Sequence, residues 1–113
     1  MRCIIAGSRT ITDYATVIEA IIKSGFGITE IVSGTARGVD SLGEQYALEN
    51  NIPIKKFPAN WDKYGKSAGY RRNAEMAEYA DSAIILWDGV SKGTQHMFRL
   101  MENKPTYITT IKD

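Results

Sequence analysis

The sequence predicts an α/β fold, a three-layer sandwich in which a mostly parallel sheet of about five strands carries helices on both faces. Three observations lead there. Short β-branched or apolar runs alternate along the chain with segments whose apolar residues recur at helical spacing. The runs end at loops bearing glycine, serine or aspartate, where a strand hands over to a helix. A length of 113 residues with 43% hydrophobic content supplies one core and not two, so a single domain over residues 1–113 is expected.

The elements follow in order. Arg2 to Ala6 reads as a strand that stops at Gly7-Ser8-Arg9. Tyr14, Val17, Ile18, Ile21 and Ile22 form the apolar stripe of a helix, which Thr12 or Asp13 can cap and Gly25 can end. Glu30 to Ser33 is the second strand and breaks at Gly34. Val39, Leu42, Gly43, Tyr46 and Ala47 repeat the helical spacing, with Asn50-Asn51 at the exit. Pro53 to Phe57 is a third strand, and its proline, which has no N–H for a ladder, argues for a less central position. Pro58 to Ser67 reads as the longest loop, Ala68 to Tyr79 as a third helix, and Ser82 to Trp87 as the most apolar strand. After Asp88 to Lys92 a fourth helix carries Met97, Leu100 and Met101; Pro105 interrupts it, and Tyr107 to Ile111 is the fifth strand.

Composition narrows the function classes. Fourteen Lys and Arg against 13 Asp and Glu give a net charge of +1, which excludes a polyanion binder held by bulk charge but not a local basic patch. The single Cys3 has no disulfide partner in the chain and reads as a buried structural thiol. One Cys and one His are too few soft ligands for a structural zinc, and neither metal nor cofactor is expected. The longest apolar run, Ala83 to Trp87, is far short of the roughly 20 residues that span a bilayer. Cys3 to Ala6 is likewise too short for a signal-peptide core. The expectation is a cytoplasmic protein with no membrane partner.

Right-handed crossovers place all strand-to-helix loops at one edge of a parallel sheet, where ligands bind at the reversal of strand order. Four such loops should meet there: Gly7-Ser8-Arg9, Ser33 to Asp40, the Lys66 to Asn73 region, and Asp88 to Thr94. Gly34 and Gly38 bracket the start of the second helix, and Gly89, Gly93 and Thr94 that of the fourth. Glycines let backbone N–H groups approach an anion, and helix N-termini favour one; glycines also simply make tight turns. Arg72 lies on the buried face of its helix with Met76 and Ala80, at the end nearest the sheet edge. A buried guanidinium needs an anionic partner, and Asp40, Asp88 or a bound phosphate can serve. Arg71, about 100° around the helix, points to solvent or a neighbouring subunit. Trp61, Tyr64 and Tyr70 interleave with Lys63, Lys66, Arg71 and Arg72; such rings either stack a base or pack a long loop onto the body. His96, with no Ser or Cys nucleophile beside it, reads as a ligand contact or a helix-start residue.

The segment Val32-Ser33-Gly34-Thr35-Ala36-Arg37-Gly38-Val39-Asp40 is similar to the SGxAxG[IV]D signature of the DprA/Smf proteins, and Gly7-Ser8-Arg9 resembles their first-strand GSR. Arg71-Arg72-Asn73, followed by Ala80-Asp81 and an apolar strand, resembles their RRN segment. The chain thus resembles the SLOG superfamily (Smf/DprA and Lonely-guy), most of all its small stand-alone YspA- or YpsA-related group, found in bacteria and phages.

That resemblance implies a Rossmann-like sheet and a pocket for nucleotides or their derivatives. Three functions compete within it. Lonely-guy enzymes hydrolyse the N-glycosidic bond of nucleoside monophosphates with an arginine, matched here by Arg72, and a glutamate, whose position is held by His96. Their PGGxGT turn is replaced by the longer Asp88 to Thr94 turn without proline, and if the chain is an enzyme Arg72 and Asp88 are its candidate catalytic pair. DprA-like proteins bind single-stranded DNA. Other SLOG domains bind nucleotide-derived signals of ADP-ribose or cyclic-nucleotide type. An anion pocket without the glutamate fits the third reading, a receptor or a sponge in phage–host conflict. The expected ligand-binding residues are Gly7, Ser8, Arg9, Gly34, Thr35, Ala36, Gly38, Asp40, Arg71, Arg72, Asn73, Asp88, Gly89, Ser91, Gly93 and Thr94. Met97, Phe98, Leu100 and Met101 give the last helix more apolar surface than one sheet face requires, so a homo-oligomer is expected.

Overall fold

The structure, a computed structural model, describes residues 1–111. The order is β1 (Arg2–Gly7), α1 (Tyr14–Ser24), β2 (Glu30–Ser33), α2 (Val39–Glu49), β3 (Ile54–Lys56), α3 (Trp61–Tyr64), a 3-10 turn (Gly65–Ser67), α4 (Ala68–Tyr79), β4 (Ser82–Trp87), α5 (Lys92–Leu100) and β5 (Thr106–Thr110). All five strands are parallel, in the spatial order β3-β2-β1-β4-β5. The expected Rossmann-like sandwich is therefore present. β3 lies at one edge, where the missing N–H of Pro53 costs least.

Strand alternation assigns the two faces. Cys3 and Ile5 of β1, Ile31 of β2, and Ile84 and Leu86 of β4 pack with Val17 and Ile21 of α1 and Val39 and Ala47 of α2. On the other face Ile4, Ala6, Val32, Ala83 and Ile85 pack with Met76 and Ala77 of α4 and with Met97 and Met101 at α5. β1 and β4 are central and buried on both faces, which is why their sequences are near-continuous apolar runs. Gly43 lets α2 press onto β1, since a Cβ there would sit 2.9 Å from the Ile5 side chain. Cys3 is fully buried, and burial pushes its thiol pKa up to about 11, as befits an inert core residue.

The helix ends follow local chemistry. Asp13 caps α1 by accepting from the Ala15 N–H at 3.1 Å, and Gly25 closes it in the left-handed region at φ 67°. The loop expected over residues 58–67 instead contains α3, capped by Asn60 Oδ1 accepting from the Lys63 N–H at 3.1 Å. Four residues carry no helical period, so only the Asn60 cap could have signalled it. Met97 and Met101 are buried and Phe98 packs against that core, leaving Leu100 exposed. The apolar surface behind the expected homo-oligomer is thus largely consumed within the chain. Among the described residues no helix is long and apolar enough to cross a membrane.

Candidate ligand-binding site

The reversal of strand order falls between β1 and β4, so the loops that follow these two strands flank one crevice. They are tied to each other. The Ser8 N–H donates to Leu86 O at 3.0 Å, and the Asp88 N–H donates to Ser8 Oγ at 3.0 Å. A Cβ on Gly7 would stand 2.1 Å from Leu86 O. The second loop is clamped onto the first at Gly38, whose φ of 75° disfavours L side chains and whose Cβ would lie 2.6 Å from Ser8 O. Gly7 and Gly38, expected as ligand approaches, are thus required by the packing of loop on loop. Ser8, expected to hold phosphate, is buried and bonds the Asp88 backbone instead.

A cavity of about 360 Å³ opens at this crevice. Arg72 enters it from the second turn of α4, half-buried, with its Nη1 donating to Gly34 O and its Nε donating to Asn73 Oδ1 at 3.0 Å. Gly34 is glycine for this reason, since a Cβ there would fall 2.9 Å from Arg72 Nη1 and 2.8 Å from Asp40 Oδ2. No carboxylate among the described residues lies within ion-pair distance of Arg72. Desolvation pulls its pKa below the usual arginine value and the positive field of Arg9 adds to this, against the attraction of Asp40. Asn73 sets the fork: its amide oxygen accepts from Arg72, while Nδ2 donates to Gly93 O at 3.2 Å and lies 3.4 Å from His96 Nδ1. With both other partners fixing that amide, the His96 Nδ1 is the acceptor and its proton sits on Nε2.

The cavity is also lined by two carboxylates, Asp40 and Asp88, and by the hydroxyls of Ser91 and Thr94. Asp40, 6% exposed, accepts from the Ala36 N–H at 3.2 Å, and burial raises its pKa to about 6 despite that bond and Arg72 nearby. Asp88 Oδ1 accepts from the Val90 and Ser91 N–H groups at 2.9 and 2.8 Å, which holds its pKa below the usual value and shapes the turn. Ser91 caps α5 through the Thr94 N–H, and its hydroxyl lies 3.0 Å from that of Thr94.

A second cavity of about 190 Å³ adjoins the first and shares Arg9, Arg72, Asn73 and Gly93 with it. Its own lining is Trp61, Lys66, Gly69 and Tyr70. Tyr64 stands apart, stacked beneath the Arg71 guanidinium at 4.4 Å, so this ring serves loop packing. His96 meets the Tyr70 ring edge-on at 4.8 Å, and burial lowers its pKa. It acts as a packing partner inside α5.

Of the sequence candidates, Gly7, Arg9, Ala36, Asp40, Arg72, Asn73, Asp88, Ser91, Gly93 and Thr94 line the first cavity. Ser8, Gly34, Thr35, Gly38, Arg71 and Gly89 do not. Ser8, Gly34 and Gly38 build the wall from behind; Thr35 and Gly89 are exposed turn residues at φ 63° and 89°; Arg71 bonds Ser67 Oγ at 3.1 Å on the surface. Sequence reasoning missed Thr10 and the floor made by Ala6, Met76 and Met97. Thr10 was legible as the hydroxyl following Arg9, whereas the floor residues look like any other core positions. Among the described residues no group of His, Cys, Asp and Glu could hold a metal.

The profile of the YspA, cpYpsA-related SLOG family matches residues 1–64, which include the first two loops of the crevice. The chain is also 34% identical over 108 residues to the Gene 61 protein of Mycobacterium phage D29, covering 87% of this chain and 86% of that protein. A match to more than half the chain, together with a relative aligned over nearly all of it, decides kinship: the protein belongs to the YspA, cpYpsA-related SLOG family.

Proposed function

We propose that the crevice binds a phosphorylated nucleotide or nucleotide-derived signal and keeps it intact, as a receptor or sponge. One observation carries the reading: Arg72, half-buried and beside Arg9, faces a cavity with no carboxylate in ion-pair contact. A partly desolvated guanidinium held without an ion pair carries a standing cost that a bound anion removes, and the exposed Arg9 beside it adds to the positive field. Trp61 and Tyr70 beside them offer faces for a base. The family's presence in a phage relative is consistent with a role in phage–host conflict.

A glycosidase reading has one observation in its favour, the buried Asp40 with its pKa near 6, which suits a general acid on the cavity wall. Against it, Asp88, the expected catalytic partner of Arg72, is tied into its own turn, and His96 packs on Tyr70.

The test is thermal-shift and calorimetric titration with nucleoside mono-, di- and triphosphates, cyclic dinucleotides and short single-stranded DNA, each ligand recovered afterwards by chromatography. Tight binding of a ligand recovered intact, lost in Arg72→Ala, is the expected result. Free base in the recovered mixture would replace this reading with the hydrolase. Binding confined to DNA, with steep salt dependence, would replace it with a strand-binding role.

A further inference from the structure

The two strands that flank the sheet, β3 and β5, meet solvent differently. Each leaves one row of backbone N–H and C=O groups unpaired within the sheet, a template to which another strand can add. β3 is guarded: three residues long, it follows Pro53 and carries Lys55 and Lys56. β5 is not. Thr106–Thr110 reads TYITT, β-branched or aromatic throughout, with no charge, proline or glycine, and its register with β4 runs unbroken, without a bulge. The bonds at its two ends fix which groups point outward. Pro105 O accepts from the Ala83 N–H at 3.0 Å and the Ile111 N–H donates to Trp87 O at 2.8 Å, so in a parallel ladder the odd-numbered residues bond β4. The N–H and C=O groups of Thr106, Ile108 and Thr110 therefore face away from the sheet.

We propose that β5 pairs antiparallel with β5 of a second copy of this chain, about a two-fold axis through Ile108, joining the two sheets into one. That axis sets Ile108 opposite Ile108 of the second copy and Thr106 opposite Thr110 of the second copy, so every outward group finds a partner in about six main-chain hydrogen bonds. The side chains agree. Tyr107 meets Thr109 across the axis, an aromatic and β-branched pair, and no like charges oppose each other along the strand. The flanking helix is complementary to itself as well. A cavity of about 80 Å³ lies between β5 and the side of α1 that carries Glu19 and Lys23, which ion-pair with each other at 2.6 Å. An axis that reverses β5 also reverses α1, and so turns the acid of one copy towards the base of the other. A net charge of +1 offers little repulsion between copies. The interface runs along the flank of the sheet and stands whatever the crevice binds.

Sedimentation equilibrium across a dilution series should show a dimer of the 12.6 kDa chain. In that dimer the amides of Thr106, Ile108 and Thr110 should exchange slowly with deuterium and become fast on dilution, a change that an interface elsewhere would not produce. Thr110→Pro removes an outward donor at an exposed position while leaving the bonds to β4 in place. It should raise the dissociation constant about tenfold or more, with the fold retained by circular dichroism. A wild-type monomer at every concentration overturns the proposal and leaves β5 to a strand of another protein. A dimer whose three outward amides stay fast, or one that survives Thr110→Pro at unchanged affinity, overturns it too. Should Thr110→Pro fail to fold, the exchange of those amides in the wild-type chain decides alone.

Discussion

The two edges of the sheet treat their charges in opposite ways. At the N-terminal edge of the strands Arg2, Asp81 and Lys104 are tied into the fold by hydrogen bonds. Arg2 donates to Tyr79 O at 3.1 Å, its guanidinium lies 4.4 Å above the Tyr79 ring, and its backbone N–H donates to Asp81 at 2.8 Å. The Tyr79 hydroxyl donates to Glu30, and Lys104 Nζ donates to Ala77 O and Ala80 O at 2.6 and 2.7 Å, closing the end of α4. At the C-terminal edge Arg72 meets only an amide and a carbonyl, and Asp40 is buried without an ion pair. One edge ties its charges to main-chain groups; the other leaves Arg72 and Asp40, facing a cavity, without an ion pair, although Lys56 and Glu44 pair at 3.6 Å nearby. On the reading proposed above, this asymmetry separates the structural end of the sheet from the ligand-binding one.

The comparison can be broken at several points. Arg72→Ala should weaken phosphate-bearing ligands by about 3 to 4 kcal/mol, while Arg2→Ala lowers the melting temperature and leaves affinity unchanged; calorimetry and thermal denaturation on both variants decide it. Gly38→Ala should destabilise the fold by about 3 kcal/mol, since it adds positive-φ strain to a Cβ 2.6 Å from Ser8 O. Gly93→Ala, with nothing within 4 Å of its Cβ, should stay within roughly 0.5 kcal/mol of the wild type by urea denaturation.

Asp40 gives a pH signature with a definite sign. Its folded pKa of about 6 stands above the ordinary 3.8, so the folded chain binds the proton more tightly than the unfolded one. This contribution is full below pH 4 and is lost as pH rises through 6, reaching about 3 kcal/mol by pH 7. Asp40→Asn should therefore raise unfolding stability at pH 7 and change little at pH 4. Equal gains at both pH values would show that the carboxylate is not held against its own desolvation. The smallest effect is expected at the structural edge: Lys104→Met should cost about 1 to 2 kcal/mol through two lost carbonyl partners, with ligand affinity unmoved.

Much of this was legible in the sequence. Asp13 and Gly25 bounded α1, Ala68 and Tyr79 bounded α4, and the spacing of Arg72 with Met76 and Ala80 placed its guanidinium toward the crevice. These follow from periods and caps, which are local. What the sequence concealed was the beneficiary of each small residue. Gly34 makes room for Arg72, Gly38 for the Arg9 backbone, and Gly7 for Leu86 O, yet all three read equally well as phosphate cradles. Ser8 and Asp88 were read as ligand groups, but the Ser8 hydroxyl and one Asp88 oxygen are occupied by the loops themselves. Such assignments depend on contacts across as many as 80 residues, beyond any window of sequence.

The position of β1 has a kinetic corollary. It pairs with β2 through Cys3 and Ile31, and with β4 through Cys3 and Ser82, so the crevice exists only after the chain closes the long loop from Cys3 to Ser82. Such long-range closure slows folding and keeps the two halves able to part locally. A ligand held between Arg9, just after β1, and Arg72, on the helix that precedes β4, laces those halves together, so binding should slow amide exchange along β4 more than along β3.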